Sequence, residues 1–188
     1  MIANTPPGIV IRDGMEADLP RCLELDHSYS TDTVWQMQMY HEEHLDEYQI
    51  SLRRERLPRT IEVSRSGDET HLRLALPADQ CFLVAVNRDT DQIVGYLTMM
   101  HNAIHHIGDV QEIVIDRPHR RSEVGTRLVN VARRWAKEHQ IIRMTVHTQT
   151  KNYPAMAFLQ QLGFTFCGFN DRFFPNQDIA VFFTQSLR

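Results

Sequence analysis

Residues 110–128 read VQEIVIDRPHRRSEVGTRL and contain the chain's most informative pattern. Branched apolar residues typical of a buried strand lead into a short basic loop, which opens directly into a helix. The first backbone N–H groups of a helix lack helical partners and carry the positive end of its dipole. Arg120 and Arg121 add positive charge, and Gly125 lets the backbone approach a ligand closely. The segment predicts a site for a phosphate-bearing ligand, with a plain surface turn as the alternative.

The patterns on both sides of this segment predict a sheet with helices. Alternating or branched apolar residues predict strands at 9–12, 82–86, 93–100, 110–115, 142–146, 164–169 and 179–185. Helical spacing and capping residues predict helices at 18–27, 68–76, 124–135 and 154–163. Residues 31–80 are less regular, and there we expect two short strands or a β-arm around Leu57-Pro58. The element order predicts a mixed α/β (α+β) sheet with helices on both faces.

The composition is typical of one soluble, mildly acidic globular domain. The chain has 188 residues, 42% of them hydrophobic, and a net charge of −4, which excludes a globally basic, DNA-coating surface. The sequence has no apolar run long enough for a membrane span and no secretory signal pattern, and its three scattered cysteines fit a reducing cytoplasm. We expect a flexible leader at 1–8 and a single domain at 9–188.

Two blocks resemble the GNAT family of acyl-CoA-dependent N-acetyltransferases. Residues 115–128, IDRPHRRSEVGTRL, follow the family's V-D-P-x-Y-R-G-x-G-I-G-x-x-L, and residues 152–164, NYPAMAFLQQLGF, follow N-x-x-A-x-x-F-Y-x-x-x-G-F. The resemblance implies the GNAT fold, a central mixed, mostly antiparallel twisted sheet of six to seven strands, with 31–80 as a family-variable segment. The run from Gly168 to Phe183 is similar to the end of the streptothricin-acetyltransferase-like branch.

The resemblance implies that acetyl-CoA is the cosubstrate and assigns residues to three parts of it. Its pyrophosphate would lie on backbone N–H groups of Arg120, Arg121, Ser122, Glu123, Val124, Gly125 and Thr126. Its pantetheine arm would pair like an added strand with Ile113, Val114 and Ile115. Asn152 and Phe158 stand where the family contacts the other end of the cosubstrate.

A carboxylate is the expected base. A lysine-type amine has a pKa of ~10.4 and must lose a proton before it attacks a thioester. Glu112, on the strand 110–115, is the candidate by position to accept that proton directly or through water. Gln111 stands where the streptothricin-like branch often has an acid. The alternative for Glu112 is a solvated or ion-paired strand residue.

Two residues depart from the family pattern. Glu123 replaces a small residue, and a carboxylate aimed at a pyrophosphate would weaken binding, whereas an outward-pointing side chain would be favoured at a helix N-terminus. Leu159 replaces a tyrosine positioned to protonate the leaving thiolate. Tyr153 and Tyr48 are candidate substitutes, with plain packing as the alternative for each.

The histidines form no recognisable metal pattern. Two groups of histidines lie close together in the sequence. One contains His101, His105 and His106, and the other contains His41 and His44. No Cys or Asp spacing accompanies either group, and GNAT chemistry needs no metal, so we expect none. A base at His105 or His106 is an alternative to Glu112.

The sequence thus predicts an N-acetyltransferase that moves an acetyl group from acetyl-CoA directly to a primary amine of a small molecule or peptide. The alternative is a catalytically weak or inactive acyl-CoA-binding module. We expect no nucleic-acid or membrane partner, and a monomer or homodimer. Segment 31–80 has ten acids and six bases. We expect it over the acceptor side, where it would attract a cationic amine, although an acidic solvated face is the commoner explanation.

Overall fold

The computed structural model of the chain describes residues 8–188. Its strands are β1 (Ile9–Asp13), β2 (Tyr29–Glu42), β3 (Glu47–Val63), β4 (Cys81–Asn87), β5 (Gln92–Asn102), β6 (Ile107–Ile115), β7 (Arg143–Gln149), β8 (Thr165–Asn170) and β9 (Ala180–Ser186). Its helices are α1 (Leu19–Leu23), α2 (Glu69–Leu74), α3 (Val124–Glu138) and α4 (Tyr153–Gln161). The leader predicted at 1–8 lies outside the described residues except for Gly8.

Seven of these strands form one sheet in the order β1-β4-β5-β6-β7-β9-β8. The pairs β1–β4, β4–β5 and β5–β6 are antiparallel, and β6–β7 is parallel. The predicted mixed, mostly antiparallel sheet of six to seven strands is confirmed. The crossover between the parallel strands β6 and β7 contains α3, as a parallel connection requires.

The chain divides into two compact units. The first unit contains residues up to Ser28, Ser64–Val146 and Thr184–Arg188, and the second contains Tyr29–Val63 and His147–Phe183. Strands β7 and β9 contribute residues to both units.

The first unit has helices on both faces of its strands. Leu19 of α1 and Leu72 of α2 pack with Val84 and Tyr96 in one buried cluster. On the other face, α3 contacts β1, β4, β5 and β6. This helix buries Val124, Leu128, Ala132 and Ala136, a spacing of four that places them on one side. The predicted helix at 124–135 is therefore present, whereas the one predicted at 18–27 is reduced to α1.

The second unit contains a long antiparallel hairpin of β2 and β3. The expected β-arm is present, but its turn lies at 43–46 and not around Leu57-Pro58. Thr31 pairs with Ile61 and Thr33 pairs with Arg56, so residues 57–60 bulge out of the ladder. Proline has no N–H to donate to a ladder, and this bulge accommodates Pro58 inside a strand.

Candidate active site

Strand β6 changes its pairing at Gln111. Val110 lies opposite Met99 and Glu112 opposite Thr98, so Gln111 is one extra residue, a β-bulge. The parallel pairing with β7 runs from Ile107 to Val110 and ends there. Beyond the bulge, β6 continues to pair with β5 as far as Ile115.

The backbone of β6 beyond the bulge has one edge directed away from β5. The Asp116 N–H donates to the Val94 carbonyl at 2.9 Å, toward β5. In an antiparallel ladder, successive residues direct their N–H and C=O groups to alternate sides. Those of Ile113 and Ile115 are therefore directed away from β5. The Ile115 carbonyl accepts from Arg120 Nε at 2.8 Å on that side. This edge can pair with an extended polar chain.

The Glu112 carboxylate is buried beside this edge and has defined partners. Its Oε2 accepts from the Tyr96 hydroxyl at 2.5 Å, and its Oε1 lies 3.5 Å from Arg65 Nη2. The Tyr96 hydroxyl oxygen lies 3.0 Å from His27 Nε2. Burial, followed by the charge of Glu112, raises the pKa of Tyr96, so this phenol stays protonated.

The segment that follows β6 is a tight loop before α3. Arg117–His119 form a 3-10 turn, and Ser122 Oγ donates to the His119 carbonyl. Arg121 and Glu123 adopt φ values of 61° and 64°, a left-handed conformation that favours glycine. Both side chains are exposed.

Asp26, three residues after α1, contacts this loop through its carbonyl, its carboxylate and its N–H. Its carbonyl accepts from Arg120, its carboxylate lies 3.4 Å from Arg117 Nε, and its N–H donates to Asp116 at 3.2 Å. Hydrogen bonds from Ser28, followed by the charges of Arg120 and Arg117, lower the pKa of Asp26. The loop is thus held by charged contacts on the side of α1.

The predicted cosubstrate residues fall into two groups. The strand and loop residues, which belong to the first unit, are Ile113, Val114, Ile115, Arg120, Arg121, Ser122, Glu123, Val124, Gly125 and Thr126. The first turn of α3 contains Val124, Gly125 and Thr126. The N–H groups of this turn have no carbonyl acceptor within the helix. Asn152 and Phe158 belong to the second unit. Asn152 caps α4 by accepting from the Ala155 N–H at 3.2 Å, and Phe158 is half-buried.

The two tyrosines considered as substitutes for Leu159 both belong to the second unit. Tyr48 is 60% exposed and stacks on His41 with ring centroids 4.2 Å apart. The Tyr153 hydroxyl accepts from Arg54 at 3.1 Å. Leu159 itself is buried on α4.

The sequence reasoning missed the two partners of Glu112, Tyr96 and Arg65, and the His27 ring that contacts the Tyr96 hydroxyl. Tyr96 and Thr98 are two residues apart and therefore lie on one face of β5. Glu112 reaches that face only because of the bulge at Gln111, and the sequence pattern does not reveal the bulge. His27 lies just beyond α1, in a segment predicted as the helix end.

The described residues contain no cluster that could hold a metal and no helix suited to span a membrane. Across 8–188, His, Cys, Asp and Glu side chains nowhere converge in threes at a metal-binding geometry. The longest helix within that range, α3, is neither long nor apolar enough for a bilayer. His105 and His106 lie exposed in the turn between β5 and β6.

Comparison with known proteins connects this geometry to a family. The model of the acetyltransferase (GNAT) family matches residues 34–164. The streptothricin acetyltransferase of Escherichia coli is 25% identical over 118 residues, which are 57% of this chain and 67% of that protein. This similarity confirms the predicted resemblance to the streptothricin-acetyltransferase-like branch.

Solved structures share the fold. A nourseothricin acetyltransferase aligns with a TM-score of 0.81 and 19% identity, over 96% of this chain and 99% of that one. A structure assigned as a streptothricin acetyltransferase from Bacillus anthracis, in complex with acetyl coenzyme A, aligns with a TM-score of 0.76 and 22% identity, over 95% and 98%. Because the family model spans well over half of the sequence, the chain belongs to the acetyltransferase (GNAT) family and is an acyl-CoA-dependent acetyltransferase.

Proposed function

We propose that the protein transfers an acetyl group from acetyl-CoA directly to a primary amine of a small cationic molecule, with Glu112 as the catalytic base. The amine nitrogen attacks the thioester carbonyl, a C–N bond forms and the C–S bond breaks. The proton lost by nitrogen passes to Glu112, and CoA leaves as the thiolate. Direct transfer needs no covalent enzyme intermediate, because both substrates are held together.

One observation carries this proposal. The buried Glu112 carboxylate and the outward-directed backbone of Ile113 belong to consecutive residues of one strand. A chain that pairs with Ile113 and Ile115 is therefore held close to the base. The loop Arg120–Glu123 and the first turn of α3 follow on the same segment, with the backbone donors and positive charge that suit a pyrophosphate.

The acceptor class is supported by charge and by the relatives. Residues 31–80 carry ten acids and six bases, and an excess of acids attracts cations over several ångströms. Two of the similar proteins are a streptothricin acetyltransferase and a nourseothricin acetyltransferase. We therefore propose an amine-bearing antibiotic of this type as the first acceptor to test, with peptide amines as the comparison.

A catalytically weak acyl-CoA-binding module is the second candidate. Leu159 is buried and apolar and cannot donate a proton to a leaving group. Arg121 and Glu123 hold a backbone conformation that costs about 1–2 kcal/mol for each non-glycine residue. Catalysis remains the better-supported function, because a thiol with a pKa of ~8.5 leaves without an acid.

Release of free CoA from acetyl-CoA tests the two candidates. The full chain is incubated with acetyl-CoA and with streptothricin, aminoglycosides, polyamines, amino acids or peptides, and free thiol is followed. The proposal expects release in proportion to one class of amine. A thermal shift with CoA, together with release no faster than background hydrolysis for every amine, identifies the binding module instead.

A further inference from the structure

We infer that Glu112, Tyr96 and His27 act as one proton-accepting chain, in which Tyr96 and His27 are positioning residues that hold Glu112 ready for the amine proton. The inference rests on the proposed function. It concerns three side chains of the first unit that are joined end to end by short contacts.

The chain has three contacts, and each needs one proton. Glu112 Oε2 lies 2.5 Å from the Tyr96 hydroxyl, that hydroxyl lies 3.0 Å from His27 Nε2, and His27 Nδ1 lies 2.6 Å from the Leu25 carbonyl. A carbonyl oxygen only accepts, so His27 Nδ1 carries a proton. In neutral histidine, Nε2 is then an acceptor.

With Glu112 ionised and His27 neutral, the chain is one proton short. The Tyr96 hydroxyl supplies one proton and His27 supplies the second, at the Leu25 contact. The Tyr96 hydroxyl can donate its proton either to Glu112 or to His27 Nε2. In the contact that does not receive the proton, two acceptor atoms face each other through their lone pairs. A contact between two acceptors is costly, because neither atom has a proton to share with the other.

A proton from the amine completes the chain. It binds Glu112, the new carboxyl O–H donates to the Tyr96 oxygen, and the Tyr96 hydroxyl turns to donate to His27 Nε2. Nitrogen loses one proton and Glu112 gains one, while Tyr96 and His27 keep their proton counts. Tyr96 need not ionise, in keeping with the raised pKa of this buried phenol.

The surrounding groups are compatible with this arrangement. Arg65, which precedes α2, lies 3.5 Å from the second Glu112 oxygen and is largely exposed. Cys22 of α1 is buried, and burial raises the pKa of its thiol to about 12, so it stays protonated. Phe82 of β4 meets the Tyr96 ring edge-on at 6.4 Å and offers no polar atom.

Four variants test the chain through their pH–rate profiles. Tyr96→Phe keeps the ring and removes the hydroxyl, and His27→Leu removes the acceptor, whereas His27→Gln keeps an oxygen that accepts from Tyr96. Phe82→Leu is the packing control. We expect kcat to fall about tenfold in Tyr96→Phe and His27→Leu, with KM for acetyl-CoA unchanged. The acid limb of the His27→Leu profile should move to lower pH, because the Tyr96 hydroxyl then has no acceptor to turn to when Glu112 takes up the proton. His27→Gln should recover part of the kcat that His27→Leu loses, and Phe82→Leu, which lies outside the chain, should keep the wild-type profile.

Nitrogen NMR of His27, assigned by the signal lost in His27→Gln, reads the proton positions without turnover. At the pH of maximal activity we expect a neutral ring with its proton on Nδ1. An imidazolium, an Nε2-protonated ring, or unchanged pH–rate profiles in Tyr96→Phe and His27→Leu would overturn the inference. An inactive wild type across all amines is a different result, since it overturns the proposed function and, with it, the role given to the chain.

Discussion

Thr98 lies directly opposite Glu112 in the β5–β6 ladder, and its buried hydroxyl oxygen has no hydrogen-bond partner among residues 8–188. An unpaired hydroxyl in the interior costs about 1–3 kcal/mol of free energy of unfolding. We expect Thr98→Val, which keeps the side-chain shape, to raise that free energy by about 1 kcal/mol in urea titrations.

Thr31 is the matched control for this prediction. It is also a buried threonine, but its hydroxyl donates to the Thr33 carbonyl at 2.6 Å. We expect Thr31→Val to lower the free energy of unfolding, because the carbonyl loses its donor. Equal losses in Thr98→Val and Thr31→Val would show that the Thr98 hydroxyl has a partner in solution.

Replacement of the proposed base should separate catalysis from binding. Glu112→Gln keeps an oxygen that accepts from Tyr96 but cannot take up the amine proton. We expect kcat to fall about 100-fold or more, with KM for acetyl-CoA unchanged, in steady-state assays of CoA release. Glu138→Gln, at the exposed far end of α3, is the charge-matched control and should match the wild type. A Glu112→Gln enzyme with full activity would move the base to another residue.

We expect Glu123 to limit CoA affinity through both its charge and its backbone conformation. Glu123→Gln removes only the charge, and Glu123→Gly also relieves the left-handed backbone at φ 64°. We expect Kd for CoA, measured by calorimetry, to fall in Glu123→Gln and further in Glu123→Gly. The free energy of unfolding should rise by about 1 kcal/mol in Glu123→Gly alone. Wild-type affinity in both variants would mean that the carboxylate faces away from the ligand.

Asp18 should make stability depend on acid pH. Arg12 donates to its carboxylate at 2.6 and 2.8 Å, and this hydrogen bonding lowers the pKa of Asp18 below its ordinary 3.8. A carboxyl with a lowered folded pKa stabilises the protein above its unfolded pKa, and that contribution is lost as the pH falls through the folded value. Asp18→Asn should therefore lower the free energy of unfolding at neutral pH and flatten its decline below about pH 4.

Urea titrations across pH 2–7 test this, with Asp79→Asn, an exposed carboxylate, as the control. If Asp18→Asn kept the wild-type slope in acid, another carboxylate would govern the transition.

The regular elements could be predicted because each has a local cause. Helix α3 follows from apolar residues every three or four positions, and α4 begins at the Asn152 cap and ends just before Gly163. The hairpin turn at 43–46 could not be predicted in the same way. Its residues carry no Gly or Pro signal, whereas Leu57-Pro58 carries one and lies in a bulge.

The candidate site was predictable only in part, for a similar reason. Glu112 was chosen by its position in the motif, and the structure shows it buried on that strand. Simple alternation puts Val110 and Glu112 on one face of β6, yet Val110 lies opposite Met99 and Glu112 opposite Thr98, which are on different faces of β5. The contact of Glu112 with Tyr96, and through Tyr96 with His27, requires this change of face. No local sequence pattern predicts the change.

The bulge at Gln111 makes the proposed site sensitive to a deletion as well as to a side-chain substitution. Ile113 and Ile115 offer backbone groups, and no side-chain substitution removes a peptide carbonyl. Deletion of Gln111 would leave every proposed functional side chain in the sequence and would restore a regular ladder, which removes the bend where the β6–β7 pairing ends. A chain one residue shorter would thus be better ordered as a sheet and worse as a catalyst. For the part of the proposed site that is backbone, a deletion tests what no side-chain substitution can.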